Sequence, residues 1–337
     1  MKIRFISDIH YWLNYKYSYD ELMNILKDIK PADVTLIAGD LDTDVNEAAE
    51  FLKTYFPNEK VVFIAGNHVV YNHKRKPINE LLEDYEHFDG QWKFLENWYT
   101  WLNDDIAVIG TIGWTDFLYG WQTKSQYIKK IKEEKEFRKT FKIDPDSFDP
   151  EFDLSGPINW TNKLPEDPSK YYDEKLKNNK KSYQNHMMKE ALRCMNDYNY
   201  GKVRRHGKID IMYPSDTLKM HKKAMKMIEH CYNEIIAKNP NAIIILMTHH
   251  PFTTKCESIK YKGDPLNAAF MSDHDKWLKK FKQIKYYHCG HVHSRFFDKL
   301  RPDQVILCNP MGYLHNYEDQ ASENNTSFDI NYIIDIK

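Results

Sequence analysis

Five short apolar runs punctuate the chain: Ile3 to Ser7, Val34 to Ala38, Lys60 to Ala65, Ala242 to Met247 and Lys285 to Cys289. Their length and nearly unbroken apolar character predict strands buried on both faces. Between the first three the period changes. Ser18 with Glu21 reads as a capping box, and Leu22, Ile25, Leu26 and Ile29 then recur at helical spacing. Glu47 to Tyr55 reads as a second helix. This strand–helix–strand rhythm predicts right-handed crossovers and a mainly parallel sheet. Beyond it, Pro77 to Tyr85 and Trp92 to Trp98 are expected to be helices, and Ile106 to Trp114 a strand running into Thr115, Asp116 and Phe117.

The texture changes from Gly120 to Tyr213. This stretch is rich in lysine and glutamate, and Pro145, Pro150, Pro157, Pro165 and Pro168 mark irregular chain. Helices are expected at Ser125 to Arg138 and Ser182 to Met195. So long a segment exceeds an ordinary loop and is expected to form a cap over a site, inserted into one domain spanning residues 1–337. Two closely packed domains are the other arrangement that the length allows. Ser215 and Thr217 then precede Met220, Met225, Ile228, Tyr232 and Ile235, a long amphipathic helix returning to the core. Val305 to Cys308 and the alternating Phe328 to Ile336 are expected in a second, more antiparallel sheet, because no helix-length crossover separates them.

Composition narrows the class. A chain of 337 residues can bury roughly 75% of its potential surface and needs no staples. Lys plus Arg is 48 and Asp plus Glu is 49, so no global basic footprint points to nucleic acid. No stretch of about 18 apolar residues exists, and a ligand-bearing strand pattern begins at the N-terminus, which argues against a signal peptide or membrane anchor. Cys194, Cys231, Cys256, Cys289 and Cys308 have no CxxC spacing and read as reduced thiols, placing the protein in the cytoplasm.

Polar, metal-competent residues follow each apolar run at once. Asp8 and His10 are two apart, so both can face one side if strand alternation persists. Asp40 follows Gly39, and a carboxylate beside a buried strand end demands a cation or strong hydrogen-bond donors. Asn67 follows Gly66 and offers a neutral carbonyl oxygen, while the adjacent His68 would project elsewhere. His249 and His250 lie in THHP, and His291 and His293 in GHVH. A single strand-end histidine is more often a capped polar residue than a ligand. Four such sites, with aspartates at matching places, make up the ligand inventory of a two-metal hydrolytic centre. Carboxylate, amide and imidazole together favour Mn, Fe, Zn, Ni or Co over Mg or Ca.

The ordered set Asp8-Ile9-His10, Gly39-Asp40, Gly66-Asn67-His68, His249 and Gly290-His291-Val292-His293 resembles the calcineurin-like metallophosphoesterase superfamily. The resemblance implies an α/β fold, a four-layer α/β/β/α sandwich with two central mixed sheets and a dinuclear site at their edge. It implies that Asp8, His10 and His293 hold one metal and Asn67, His249 and His291 the other, with Asp40 bridging. Two positions depart from the pattern. Thr43 stands where an aspartate is usual, with Asp42 and Asp44 flanking it, and Val69 stands where glutamate is frequent, which leaves the support of His68 open. The segments Gly110 to Phe117, Met195 to Tyr198, Gly263 to Asp273 and Cys308 to Tyr313 look like a bacterial and phage group of small metallophosphoesterases. By position, Trp114, Asp116, Asp197, Tyr198, Asn309 and Tyr313 are candidates to rim the cleft, each with a structural role equally open.

Two cations about 3.5–4 Å apart acidify a shared water and grip phosphoryl oxygens. The expected reaction is in-line attack on a phosphate ester by a metal-bridging hydroxide, without a covalent protein intermediate, between metals bridged by Asp40. His68 would protonate the leaving oxygen, with Asn67 and His68 touching substrate. His250 either orients His249 or closes the turn before Pro251, or else contacts phosphate. Lys175, Lys177, Lys180, Lys181, Arg204, Arg205 and His206 could make local positive surface, although solvated side chains are the plainer reading. A nucleotide or other small phosphate ester is the expected substrate, with no membrane and no obligatory protein partner. A nuclease acting on nucleic acid is the runner-up. A protein phosphatase or a non-catalytic protein-binding scaffold stands further back.

Overall fold

The strands owe their positions to apolar runs that the helices between them cannot cover from one side alone. In the computed structural model, which describes residues 1–71, 76–121, 132, 179–258, 261, 264–314 and 327–337, these runs build two sheets packed face to face. The chain opens with β1 (Lys2–Ile6), helices Tyr11–Tyr17 and Tyr19–Leu26, β2 (Val34–Ala38), helix Val45–Tyr55 and β3 (Lys60–Ile64). A 3-10 turn Asn67–Tyr71 and helix Ile78–Glu83 lead to β4 (Trp92–Phe94), β5 (Trp98–Trp101) and β6 (Ile106–Thr111). Helices Lys180–Cys194 and Asp197–Tyr200 precede the hairpin β7 (Lys202–Arg205) and β8 (Lys208–Ile211). Helix Pro214–Lys238, β9 (Ile243–Thr248), the 3-10 turn Pro265–Ala269 and helix Asp275–Leu278 follow. The chain then runs through β10 (Ile284–Cys289), β11 (Phe296–Arg301), β12 (Gln304–Cys308) and β13 (Ile333–Asp335).

The first sheet has the order β13-β1-β2-β3-β4 and the second β11-β12-β10-β9-β6-β5. Parallel pairing runs through β1 to β4 and through β12, β10, β9 and β6. Antiparallel strands close three of the four edges, so both sheets are mixed. Strand alternation divides the apolar side chains between two layers. Ile3, Phe5, Leu36, Val62, Val108, Ile245 and Leu307 meet between the sheets, all buried. Ile6, Ile37 and Phe63 face outward beneath the first helical layer, and Ala107, Ile244 and Tyr287 face the layer that contains Ile228 and Ile235 of the Pro214–Lys238 helix. This is the expected four-layer sandwich.

Arg4 lies on the outer face of β1 yet is fully buried. Its guanidinium donates to Glu59 Oε1 at 2.6 Å and Thr35 Oγ1 at 2.7 Å, and stands over the Phe56 ring. Pairing offsets a desolvation cost that would otherwise forbid a charge here.

Several elements depart from expectation. Trp92 to Trp98 is not a helix: Trp92 pairs with Val61 in the first sheet, and Trp98 with Gly110 in the second. Its aromatic content suits strands, and Asn97, in the left-handed region at φ 55°, breaks the chain between the two sheets. Ser18 makes no side-chain cap, because the preceding helix runs directly into it and Ser18 N–H donates to Asn14 O at 2.8 Å. β12 pairs parallel with β10, the return being made by β11, which the sequence pattern did not reveal. β13 lies in the first sheet, antiparallel to β1, where Ile336 joins the core between the sheets and the exposed edge of β1 is covered. Apart from Lys132, the expected Ser125 to Arg138 helix lies outside the described residues, as does most of the stretch from Gly120 to Tyr213.

Candidate metal centre

The carboxyl ends of β1, β2, β3, β9 and β10 converge at one rim of the sandwich. Backbone hydrogen bonds lace the loops that leave them. Asp8 N–H donates to Gly39 O at 3.0 Å, His10 N–H to Asp40 O at 2.9 Å and Gly290 N–H to His249 O at 3.1 Å. Asp8, His10, Asp40, His291 and His293 all adopt positive φ between 44° and 71°. Left-handed backbone is costly for these residue types, and its recurrence at five adjacent site positions marks strain held by the surrounding structure. Gly39 makes room as well: at φ 90°, a Cβ there would collide with the His249 ring. A Cβ on Gly66 would strike the Asp40 carboxylate.

Donor atoms gather in two adjoining groups. In the first, Nε2 of His10 and Nε2 of His293 face each other at 3.1 Å, and Asp8 Oδ1 stands 3.5 Å from His293 Nε2. In the second, Asn67 Oδ1 lies 2.9 Å from His249 Nε2 and 3.1 Å from His291 Nδ1, and Asp40 Oδ2 lies 3.1 Å from His249 Nε2. Ligands about 2.0–2.1 Å from one tetrahedral ion are about 3.4 Å apart, the spacing seen here. Sets combining Asp8, His10 and His293, Asp40, His249 and His291, and His10, Asp40 and His68 can each surround an ion. Asp8 is 0% and Asp40 1% exposed, so bare carboxylates here would be poorly solvated. His291 Nε2 is buried without a hydrogen-bond partner. This donor chemistry fits a dinuclear metal site.

Orientation and charge agree with that fit. His249 donates Nδ1–H to Ala38 O at 3.0 Å, which turns Nε2 toward the other donor atoms and makes it the nitrogen available to a cation. Burial opposes ionisation of Asp40, but the imidazoles of His249 and His68 hold it well below the usual carboxylate range. Burial would lower His249 too, yet Asp40 beside it draws it up to about 9. Burial, reinforced by neighbouring imidazoles, pushes His10 and His291 well down. Ionised carboxylates beside neutral imidazoles are what a cation requires, and binding at His249 would displace its proton.

His68 extends beside the two groups. Its N–H donates to Asp40 Oδ1 at 3.0 Å, and its Nε2 lies 3.9 Å from Asp40 Oδ2 and 2.9 Å from the Tyr313 hydroxyl. Tyr313 thus supplies a polar contact that Val69, buried and apolar, does not. Asp42 pins the loop after His10 by accepting from Trp12 N–H at 2.6 Å, and Asp44 accepts from Asn46 N–H at the start of the Val45–Tyr55 helix.

The remaining sequence candidates divide. Asn67, His68 and Tyr313 line a cavity of about 550 Å³ together with Tyr71, Phe270 and His291. Asp197 sits behind its wall, with Oδ1 accepting from Asn67 Nδ2 at 2.9 Å and Oδ2 from the Tyr71 hydroxyl at 3.4 Å. Burial raises Asp197 to about 6, against those hydrogen bonds. The Trp114 and His250 rings lie 4.9 Å apart, tilted by 30°, and His250 lies 4.1 Å from the His291 ring. Tyr198 shares a hydrogen bond with Thr217, and Asn309 donates to the Phe5 and Asp329 carbonyls, so both sit within packed structure away from the cavity wall. Asp116 does not line the cavity either. Sequence reading missed Tyr71, which stands four residues after Asn67 with its ring 4.3 Å from that of His68. Of the basic residues, Arg204 pairs with Glu80, Arg205 with Asp210 and Asp216, and Lys180 stands over the Trp121 ring. Lys175 and Lys177 lie outside the described residues. All five cysteines are free thiols, and among the described residues no helix is long and apolar enough to cross a membrane.

The family pattern described as calcineurin-like phosphoesterase matches residues 1–193. Among solved structures, the chain is similar to a phosphopantetheinyl hydrolase from Mycobacterium tuberculosis, with TM-score 0.52 and 12% identity over 93% of this chain and 89% of the other. It is also similar to a dimetal phosphatase from Danio rerio, with TM-score 0.45 and 12% identity over 91% and 86% of the two chains. A protein from Thermus thermophilus aligns at TM-score 0.41 and 10% identity over 93% and 89%. No curated protein sequence matches.

Proposed function

Because the chain belongs to the calcineurin-like phosphoesterase family, we propose that this metallophosphoesterase hydrolyses a nucleotide or another small phosphate ester. The observation that carries the reading is the convergence of Asp8, His10, Asp40, Asn67, His249, His291 and His293 at one rim of the sandwich, where the neutral imidazoles of His10 and His291 stand beside the ionised Asp40 carboxylate. Asp8, His10 and His293 would hold one ion, Asn67, His249 and His291 the other, and Asp40, which groups with His10 and His68 on one side and with His249 and His291 on the other, would bridge. Mn, Fe or Zn suits these ligands best, with Ni and Co acceptable. When bound, the two ions supply an acidified water and charge stabilisation for the phosphoryl oxygens.

The chain's own groups supply the rest. Asp40 and the His68 backbone fix each other, and the imidazole Nε2 of His68 stands 3.9 Å from Asp40 Oδ2. His68 Nε2 is the atom that would deliver a proton to the leaving oxygen, and Tyr313 orients that nitrogen. His250 supports His291 by packing against its ring.

Substrate size is argued from the cavity. About 550 Å³ suits a small molecule, and among its described lining residues none is lysine or arginine. A groove that tracks a nucleic-acid backbone needs such cations. Tyr71, Tyr261, Phe270 and Tyr313 offer ring faces to a base or another planar group. Cys194, Met195 and Asn196 also line the cavity, which supports reading residues 120–213 as a cap over the site. The segments around Trp114, Asp197 and Asn309 support placement in the bacterial and phage group of small enzymes. A screen of metal-loaded protein against phosphomonoesters, cyclic nucleotides, dinucleotides and short single-stranded DNA tests the reading. Fastest kcat/KM on a small ester is expected, while preference for the oligonucleotide would favour a nuclease. No turnover of any ester with bound metal would favour a scaffold.

A further inference from the structure

A second constellation of donors stands apart from the dinuclear centre. Asp116 follows β6, His221 lies on the Pro214–Lys238 helix, and His274 precedes the Asp275–Leu278 helix. Each offers one donor atom, and the three atoms lie within 4.8 Å of one another. None of these residues lines the substrate cavity.

Hydrogen placement makes the cluster unusual. His221 Nδ1 lies 3.0 Å from Gly113 O and 3.1 Å from Trp114 O. Carbonyls only accept, so Nδ1 carries the hydrogen and Nε2 keeps a bare lone pair. That lone pair faces His274 Nε2 at 3.0 Å, and Asp116 Oδ2 stands 3.8 Å from the same His274 nitrogen. Burial pushes His221 down to about 4 and lowers His274 as well, although Asp116 opposes both. Two neutral rings and a carboxylate therefore converge with more lone pairs than hydrogens. A neutral His274 has one N–H, and a backbone acceptor of Asp273 competes for it.

We propose that Asp116, His221 and His274 form a third metal site, separate from the dinuclear centre, that takes a divalent transition ion such as zinc. Two imidazoles and one carboxylate are zinc ligands, and separations of 3.0 and 3.8 Å bracket the roughly 3.4 Å between ligands of one tetrahedral ion. His221 is buried, while the side chains of His274 and Asp116 are 17% and 14% exposed, so a water can complete the shell from the open side.

The site would act as a clasp. His221 and Asp116 are 105 positions apart and His274 a further 53. Asp116 also ties together chain on either side of position 120: its Oδ1 accepts from Leu118 N–H at 3.0 Å, and its carbonyl accepts from Gln184 Nε2 at 2.6 Å. An ion here would fasten the base of the 120–213 segment to the long helix. It would also steady Trp114, whose ring backs His250.

Elemental analysis of full-length protein, loaded with zinc and freed of excess, tests the proposal. Wild type should carry about three equivalents per chain and His274→Ala about two. His230→Ala, altering an exposed histidine on the same long helix, should keep about three. Two equivalents in wild type, or no loss in His274→Ala, overturns the site. Anomalous scattering at the zinc edge from wild-type crystals asks the same question without a substitution, and a peak among the three side chains is expected. Absence of that peak, with the dinuclear centre occupied, would refute the third site and leave the phosphoesterase reading intact.

Discussion

Asp197→Ala should weaken metal binding although Asp197 touches no ligating atom. Its Oδ1 accepts from Asn67 Nδ2 at 2.9 Å, and this bond determines which end of the Asn67 amide faces His249 and His291. Removal of the acceptor leaves the amide free to turn its NH2 inward, where it cannot ligate. A hydrogen bond to a charged acceptor contributes about 1.5–3 kcal/mol, and at 2% exposure little solvent screening reduces it. At about 1.4 kcal/mol per decade, metal affinity should fall about 10- to 150-fold at the Asn67 site. Losses of about 10- to 100-fold are typical for groups that orient a ligand. Competition between metal-free protein and a chromophoric chelator at pH 7.5 would measure the change. Asp197→Asn keeps one acceptor oxygen and a neutral bond of about 0.5–1.5 kcal/mol, so it should lose only the difference of about 1–1.5 kcal/mol, or about 5- to 13-fold. Turnover of the alanine variant should partly recover at high metal, separating loss of orientation from loss of fold. Affinity within about twofold of wild type would refute the orienting role.

Other perturbations probe different parts of the structure. His68→Ala should retain its metals and lose about 10²- to 10⁴-fold in kcat on esters with poor leaving groups, with little loss on good ones; equal losses on both would remove the proton-donor assignment. Glu59→Ala should cost about 3–5 kcal/mol in urea unfolding, because Arg4 is left buried without its counter-charge, and a loss below about 1 kcal/mol would contradict that account. Burial lifts Glu96 to about 7, against hydrogen bonds from Ile112 and Thr111. Its folded value exceeds the ordinary 4.5, so its contribution to stability is full below about 4.5 and lost as pH rises through about 7. The Tm of wild type minus that of Glu96→Gln should therefore fall from pH 4.5 to 8, and a flat difference would sink the assignment.

What the sequence showed and what it hid have physical causes. Strand ends were legible because a polar side chain immediately after an apolar run must sit where the sheet stops, so Asp8, Asp40, Asn67, His249 and His291 could be placed together. The four-layer arrangement followed from the family resemblance alone, while the changing period of the apolar residues pointed only to strand–helix crossovers and a mainly parallel sheet. Trp92 to Trp98 misled because a short aromatic run does not distinguish strand from helix by periodicity. Partner choice for β13 was hidden, since pairing depends on which edge lies open and a single strand does not encode that. The Asp197 contact with Asn67 spans 130 positions and could not be read from local spacing. His221 sits within the buried stripe formed by Leu218, Ala224 and Ile228, where one histidine resembles a core residue until its two partners are brought beside it.

The backbone at the centre explains why metal should matter to the fold as well as to turnover. Five of the seven proposed ligands lie in the left-handed region, each at a cost of about 1–2 kcal/mol for a residue with a side chain. Hydrogen bonds from Asp8 to Gly39, from His10 to Asp40 and from His291 N–H to Asp8 Oδ1 hold the loops against that cost, and they keep buried carboxylates and imidazole nitrogens crowded at ligand spacing. Such an arrangement is tense by construction. Ions that bind the folded chain and not the unfolded one would stabilise it by about 2.7 kcal/mol at a concentration 100 times their Kd. For a chain of this size the Tm should rise by a few degrees with Mn or Zn, and Asp40→Ala should abolish most of the rise because its carboxylate adjoins both donor groups. A full metal-induced rise in Asp40→Ala would show that the ions bind elsewhere and that the strained loops are held by the protein alone.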